Sequence, residues 1–486
     1  MSALVRKEFR LLLPAWIAAL VAATAPLWFR LNLLWAPCFG LMAMFLGLAP
    51  FGQELSCGTF GLLLSQPEKR ARIWRIKTGL LALALLSAWA LFALCCSIGW
   101  RHLEPWQLNE LGSFPEMAGV SGLLALLVFS GGLWTTLLLR DVTTAFFITV
   151  LFPLGIFSGT ILCMACVSGW DEVDCMITCW PLAIYAVAGF FVARQLFLGA
   201  EDVAWAGTQI FLPMGRGRTF RWLAFGFQQK RGPWSALICK ELQLQEITII
   251  LVPLLMLLHL ALLALRHFAP QWMGEGDTLR FTAVVVWMMA SWVIGCVAVA
   301  EERRYNTLES LLCLPVRQRD QFAVKLAVVM ALGMVVGGVL PWVLEHLDGA
   351  NSGWTGLEPL ETLVLAAAAV TAIAFFASTM SRGMLQSFAV ALLFSFLLYM
   401  TFVFLMQGFG TSYVWNAVKS PAESLFEFLI WPAMIAACIW LGYRNYKSLQ
   451  TGWRLWAVNF AWLEAVFAAV LFVSCAGSAL LRIYAR

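Results

Sequence analysis

The chain has 486 residues, of which 62% are hydrophobic and only 12% charged, about half the charged share of a soluble globular domain. Its apolar residues gather into blocks of roughly 20, the length of a helix that crosses a bilayer, so the length counts spans rather than soluble domains. The 32 basic and 27 acidic residues leave a net charge of +5, and no basic domain stands apart from the apolar blocks, which excludes nucleic acid as a partner.

Hydropathy, broken at charged or turn-forming clusters, predicts spans near 11–29, 33–51, 78–99, 119–139, 143–168 and 180–198. A second set follows near 247–265, 281–300, 326–344, 362–380, 384–406 and 427–443, with one more near 457–481. The fold class expected is therefore an all-α polytopic membrane protein: two six-helix transmembrane bundles in tandem plus one extra C-terminal span. The division is a first half-unit over 1–198, a cytoplasmic linker over 199–233, a second half-unit over 234–443, and a cytoplasmic turn with the additional helix over 444–486.

A cytoplasmic N-terminus puts every basic residue on the inner side except Arg30, Arg101, Arg266, Arg280, Lys419, Arg482 and Arg486, as the resistance of basic loops to translocation requires. The outer loops are acidic, with Glu104, Glu110, Asp171, Glu172, Asp174 and Glu358, and Trp100, Trp106, Trp170 and Trp354 stand at their edges, where interfacial tryptophan belongs. The last span sends Arg482 and Arg486 outward and contains Glu464, so it reads as an addition to a twelve-span body. The basic start Arg6, Lys7, Arg10 resembles an export signal. It has an internal counterpart, however: Arg6-Lys7-Glu8-Phe9 before the first span matches Cys239-Lys240-Glu241-Leu242 before the seventh, and an internal copy cannot be a signal peptide.

The 13 cysteines lie mostly in apolar runs, as Cys95, Cys96, Cys163 and Cys166 do, and read as small core hydrophobes. Cys175 and Cys179 flank an outer turn, and their spacing leaves open whether they pair. No metal site is expected. His102, His259, His267 and His346 form no ligand spacing, and the acidic run Asp171-Glu172-Val173-Asp174 has no histidine near it.

The strongest signal is a repeat. After the second span the chain carries Glu54, Gly58-Thr59, Leu63-Leu64, Pro67 and Lys77; after the eighth it carries Glu302, Asn306-Thr307, Leu311-Leu312, Pro315 and Lys325. A constant offset of 248 residues relates the two without a gap. Gly58 and Asn306 suit the left-handed conformation that ends a helix. Thr59 and Thr307 are expected to cap a short helix bearing the leucine pair, Pro67 and Pro315 to enter the first turn of the next helix, and Glu54 and Glu302 to lie near the new helix start. Lys77 and Lys325, with Arg70, Arg72, Arg75, Arg317 and Arg319, are expected to anchor the outgoing helix at anionic headgroups. The product is a stiff cytoplasmic elbow with an exposed apolar knob, a docking element for a partner. A charge swap at Glu302 is expected to leave the chain inserted yet uncouple that partner.

These residues resemble permease subunits of ATP-binding-cassette (ABC) transporters of the type-2 exporter family. That family shows a Lys-Glu pair before the first span, matched here by Lys7-Glu8 and Lys240-Glu241, and the Glu, Gly-Thr, Leu-Leu, Pro, Lys pattern after the second. The resemblance covers the chain through the twelfth span as two fused half-permeases, with Asn306 in place of the usual glycine. It implies that the elbows are coupling helices seated on a separate ABC ATPase, in two copies, and that amphipathic helices over 2–11 and 234–245 lie along the inner leaflet of a bacterial inner membrane.

No Gly-x-x-x-x-Gly-Lys-Ser/Thr loop occurs; the nearest glycine-rich stretch, Gly215-Arg216-Gly217-Arg218, lacks the lysine. ATP and magnesium would therefore act on the partner, and this chain is expected to be no enzyme. An ion-coupled secondary transporter is the alternative, for which the spans offer only His259 and Glu464 as relay groups. An integral-membrane enzyme is the weaker alternative.

Overall fold

The computed structural model describes residues 3–28, 35–56, 58–100, 114–168, 175–200, 233–268, 277–304, 307–313, 316–346, 360–408, 422–448 and 453–484. Among them there is no strand. The 199–233 linker falls almost wholly outside these residues, as do Asn306, Pro315 and the acidic run at Asp171. The first half of the chain forms α1 (Ala3–Ala23), α2 (Ala25–Trp28), α3 (Trp35–Ser56), α4 (Phe60–Leu64), α5 (Arg70–Trp100), α6 (Phe114–Leu139), α7 (Val142–Ser168) and α8 (Cys175–Leu198). The second forms α9 (Pro233–Leu244), α10 (Glu246–Phe268), α11 (Asp277–Arg304), α12 (Thr307–Leu312), α13 (Gln318–Met334), a π-turn (Val335–Val339), α14 (Leu340–His346), α15 (Leu360–Ser378), α16 (Met384–Gly408), α17 (Ala422–Tyr446) and α18 (Trp453–Tyr484).

A helix lies over each predicted span. Apolar runs without internal breaks favour this, because in lipid each backbone donor and acceptor must be satisfied within its own segment. Several helices run two turns beyond the apolar block: α5 begins at Arg70 and α13 at Gln318. Arg, Lys and Gln are good helix formers, so hydropathy sees only the lipid-length part of such a helix. Seven helices among the described residues are long and apolar enough to cross a membrane: Arg70–Ile98, Met117–Leu139, Cys179–Leu198, Glu246–Ala264, Ala283–Arg304, Gln318–His346 and Leu360–Ser378. Val142–Phe157 and Met384–Leu398 are apolar but shorter.

The chain divides into two compact units, one of Met1–Thr219 with Pro253–Val285, the other of Phe220–Val252 with Val286–Arg486. In the first unit α1 packs on α3 and α5, and α6 packs on α3, α7 and α8. Glycine sets the closest approach. A Cβ on Gly47 would lie 2.7 Å from the Val128 carbonyl oxygen, and one on Gly132 would lie 2.7 Å from the Gly47 carbonyl carbon. Between α6 and its neighbours, Trp134 Nε1 donates to the Tyr185 hydroxyl at 3.1 Å and the Thr135 and Thr149 hydroxyls pair at 2.8 Å.

In the second unit the same crossing recurs. Gly295 stands 248 residues after Gly47, and a Cβ there would lie 2.6 Å from Ala374 Cβ and 2.7 Å from the Thr371 carbonyl oxygen. Among the described residues the π-turn occurs in this unit alone, and its counterpart α5 is α-helical throughout. The Ser291 hydroxyl donates to the Gly333 carbonyl at 2.9 Å beside it, and a Cβ on Gly338 would lie 2.8 Å from Val364 Cα. The last helix, α18, packs on α16 and α17. Asn445 Nδ2 donates to Asn459 Oδ1 at 3.1 Å, and Trp456 Nε1 to the Met380 carbonyl at 3.2 Å.

Gly295→Val should lower the melting temperature of the detergent-solubilised chain through about 1–3 kcal/mol of overpacking. Gly79→Ala, where nothing lies within 4 Å of the added Cβ, should leave it unchanged or slightly raised. Fluorescence-detected size-exclusion melting distinguishes the two.

Candidate functional site

Each elbow grows out of a buried cluster of four charges. In the first unit the Lys77 side chain, with none of its surface exposed, donates to Glu8 Oε2 at 2.6 Å and to the Pro50 carbonyl at 2.9 Å, and stands 3.1 Å from Glu54 Oε2. Lys7 donates to Glu54 Oε1 at 3.0 Å and lies 3.9 Å from Glu8 Oε1. In the second unit Lys325 donates to Glu241 Oε2 at 2.6 Å and to the Ala298 carbonyl at 3.0 Å, and stands 2.9 Å from Glu302 Oε1. Lys240 pairs with Glu302 and reaches Glu241 Oε1 at 3.4 Å. Even the carbonyl acceptors, Pro50 and Ala298, obey the 248-residue offset.

The arrangement follows from helix geometry. Lys77 sits two turns into α5 and faces inward, so it meets the end of α3 and the start of α1, where Glu54 and Glu8 are also buried. Two cations and two anions cancel, which limits the desolvation penalty that a lone buried charge would carry. The outer member is the wet one: Lys7 and Lys240 keep 40% and 32% of their side-chain surface exposed, against 0% and 2% for Lys77 and Lys325.

This corrects several expectations. Lys77 and Lys325 are core ions rather than headgroup anchors, because the outgoing helix begins upstream of them. The exposed basic residues there are Lys69, Arg72 and Arg75 in one unit and Arg317 and Arg319 in the other. The carboxylates of Glu54 and Glu302 pair with lysines, while their backbone carbonyls meet Thr59 and Thr307 beside the start of the elbow helix. The amphipathic stretch 2–11 is no separate helix, since α1 runs on to Ala23; only the second unit breaks, at Gln245, whose Nε2 donates to the Ile294 carbonyl at 3.0 Å.

The first elbow closes α3 with glycine in the left-handed conformation, φ 65° at Gly58. The Gly58 amide donates to the Leu55 carbonyl at 3.2 Å and the Thr59 amide to the Glu54 carbonyl at 2.9 Å, the paired bonds of a Schellman ending. Thr59 does not cap α4 with its side chain; its hydroxyl reaches back to the Glu54 carbonyl at 3.4 Å, as that of Thr307 does to Glu302 at 3.2 Å. The threonines therefore finish the incoming helix. Pro67 lies in the turn before α5 and not in its first turn. Of the leucine pair, Leu63 is fully buried, Leu64 half-buried and Leu311 buried, while the side chain of Leu312 lies outside the described residues. The exposed apolar residue of the first elbow is instead Leu62, at 68%. The second elbow exposes Thr307, Glu309 and Cys313, and Gln321 Nε2 ties its end by donating to the Leu311 and Val316 carbonyls, each at 3.0 Å.

Leu62 and Gln321 escaped the sequence pattern, because neither repeats in the other copy. Gly47 and Gly295 also escaped it, although the same 248-residue offset would have found them. Among the described residues no group of three or more His, Cys, Asp or Glu is placed to hold a metal ion.

Residues 244–398, which include the second elbow and Lys325, match the family described as ABC-2 family transporter protein. No curated protein and no solved structure matches the chain. The match and the long apolar helices together support an integral membrane protein of transport, an ABC-2-type permease.

Lys77→Met should cost about 3–5 kcal/mol by leaving buried carboxylates short of a partner, whereas Lys7→Met at the wet edge should cost roughly 1 kcal/mol or less. Adding Glu54→Gln to Lys77→Met should recover part of the loss. Thermal melting of the four proteins checks the order. Glu302→Lys should fail the same way, by unfolding rather than by uncoupling an intact protein.

Proposed function

We propose that this chain is the membrane-spanning subunit of an ATP-driven ABC exporter, built as two fused half-permeases in a 6+6+1 arrangement. Permeases of the matched family work with an ATPase subunit, and here ATP and magnesium would be bound and hydrolysed on that separate chain, with no catalysis on this one. Two elbows call for two ATPase copies, one beneath each half. Nucleotide-driven closure of the pair would push the elbows together and switch the bundles between inward-facing and outward-facing states. The N-terminus, the elbows and the 199–233 linker would lie in the cytoplasm of a bacterial cell, with the spans in its inner membrane.

One observation carries this reading: the same four charges, on the same carbonyl acceptor, brace an elbow in each unit. A turn that only reverses the chain needs no buried ionic brace, and a brace repeated at equivalent positions suits a part that is pushed. An ion-driven carrier has less to rest on, because the relay candidates read from the sequence, His259 and Glu464, do not recur in the other half.

Affinity purification of the full chain expressed with its native chromosomal neighbours should recover an ATPase. Leu62→Glu, at an exposed position, should leave the yield of folded chain unchanged and reduce the ATPase recovered by about tenfold, as loss of an interface hot spot does. Transport driven by a proton or sodium gradient without ATP would reject the reading.

A further inference from the structure

In each unit the elbow is also tied to a more distant element, the C-terminal end of α8 or of α17, the sixth predicted span of each half. In the first unit Arg70, at the start of α5, donates from Nη1 to the carbonyl of Leu198 at 3.0 Å, the final residue of α8. In the second unit Arg303, near the end of α11, donates from Nη2 to the carbonyls of Asn445 at 3.3 Å and Ser448 at 2.9 Å, at the end of α17. Helix C-termini leave carbonyls unsatisfied and carry partial negative charge, so a guanidinium there is held by both effects.

The two arginines are not copies of each other. The position 248 residues after Arg70 is Gln318, and the position 248 before Arg303 is Leu55. One arginine leaves the elbow and the other enters it, yet both reach the same place. Beside each lies an aromatic pad whose central ring, Trp74 or Phe322, does follow the repeat although the rings it packs on do not. Trp74 packs on Phe190 and Phe197 of α8 with ring centroids 5.8 and 5.6 Å apart. Its counterpart Phe322 packs on Tyr443 and Tyr446 of α17 at 5.2 and 5.5 Å. Phe51, on α3, joins the first pad by packing on both Phe60 of the elbow helix and Phe197.

We propose that Arg70 and Arg303 are positioning residues that make each elbow and the C-terminal end of the sixth helix of its half, α8 or α17, move as one piece. This rests on the permease reading and adds to it the route by which an elbow displacement leaves the elbow. The quartet braces α1, α3 and α5 or their second-unit counterparts, while the arginine and the pad add the sixth helix. In the second unit the route continues to α18, because Asn445, whose carbonyl Arg303 holds, donates from its side chain to Asn459.

The test is hydrogen–deuterium exchange on the full chain in lipid nanodiscs, with the elbow perturbed deliberately. Leu63→Ala loosens the first elbow. In the parent it should speed exchange of amides 194–198 by about tenfold, the loss of roughly one charge-assisted hydrogen bond's worth of protection. With Arg70→Met present, adding Leu63→Ala should have a severalfold smaller effect there, the remaining coupling passing through the pad, and with Arg70→Lys the response should return. Gln321→Leu should act likewise on amides 441–446, gated by Arg303. Should Leu63→Ala fail to fold, Thr59→Ala is the milder perturbation of the same elbow. The proposal is overturned if the end of the sixth helix ignores the elbow substitution in the parent, or responds equally with the arginine removed. No ATP or partner enters this measurement, so failure to recover an ATPase would reject the exporter reading and leave the exchange result intact.

Discussion

The structure depends on placing a fully buried lysine against two buried carboxylates at the point where a helix leaves the elbow. Lys77 and Lys325 can be there only because three separate segments arrive together: the Lys-Glu pair within α1 or α9, the glutamate near the end of α3 or α11, and the lysine two turns into α5 or α13. Remove one partner and an uncompensated charge remains in a place without water. The ionic cluster therefore penalises any alignment of these helices that leaves one of its groups unpaired. The lysines also donate to backbone carbonyls of the incoming helix, which adds a second tie between the outgoing and incoming helices.

Against this shared frame the two halves have diverged. The first elbow ends its helix on a left-handed glycine and presents a leucine; the second presents a glutamate and is tied from within by Gln321. The first helix of the chain runs unbroken through its charged start, whereas its counterpart breaks at Gln245. The arginines that hold the sixth helix arise at unrelated positions. What persists is the set of contacts that fixes geometry, and what varies is the surface those contacts hold up. Such a pattern is expected where two halves share a mechanical duty but face different surroundings.

Much of this was legible beforehand, for physical reasons that can be named. Apolar blocks of helix length report where helices lie, because in lipid the backbone must satisfy its own hydrogen bonds. The eight charged residues of the quartets were visible as a repeat, since Glu and Lys are not what lipid selects. Their roles were not, because sequence separation hides that Glu8, Glu54 and Lys77 meet, and a lysine next to exposed arginines reads as a headgroup anchor until its helix is seen to begin two turns earlier. The orientation of Leu62 and Leu63 was likewise hidden: adjacent residues on a one-turn helix point about 100° apart, and nothing in a leucine-rich stretch says which one the core takes. Arg70 and Arg303 left no repeat signal, having reached the same contact from opposite sides of the elbow.

The π-turn at Val335–Val339 has one more effect on the second half. Relative to an uninterrupted α-helix, a single wide turn sets back the angular phase of everything after it by about 100°. Side chains of α14 therefore look out along different directions from those at the same depth on the distal portion of α5. The internal pseudo-symmetry that governs the elbow end of these helices is cancelled at Gly337 and Gly338. The far ends of these two helices therefore present different faces to whatever adjoins them.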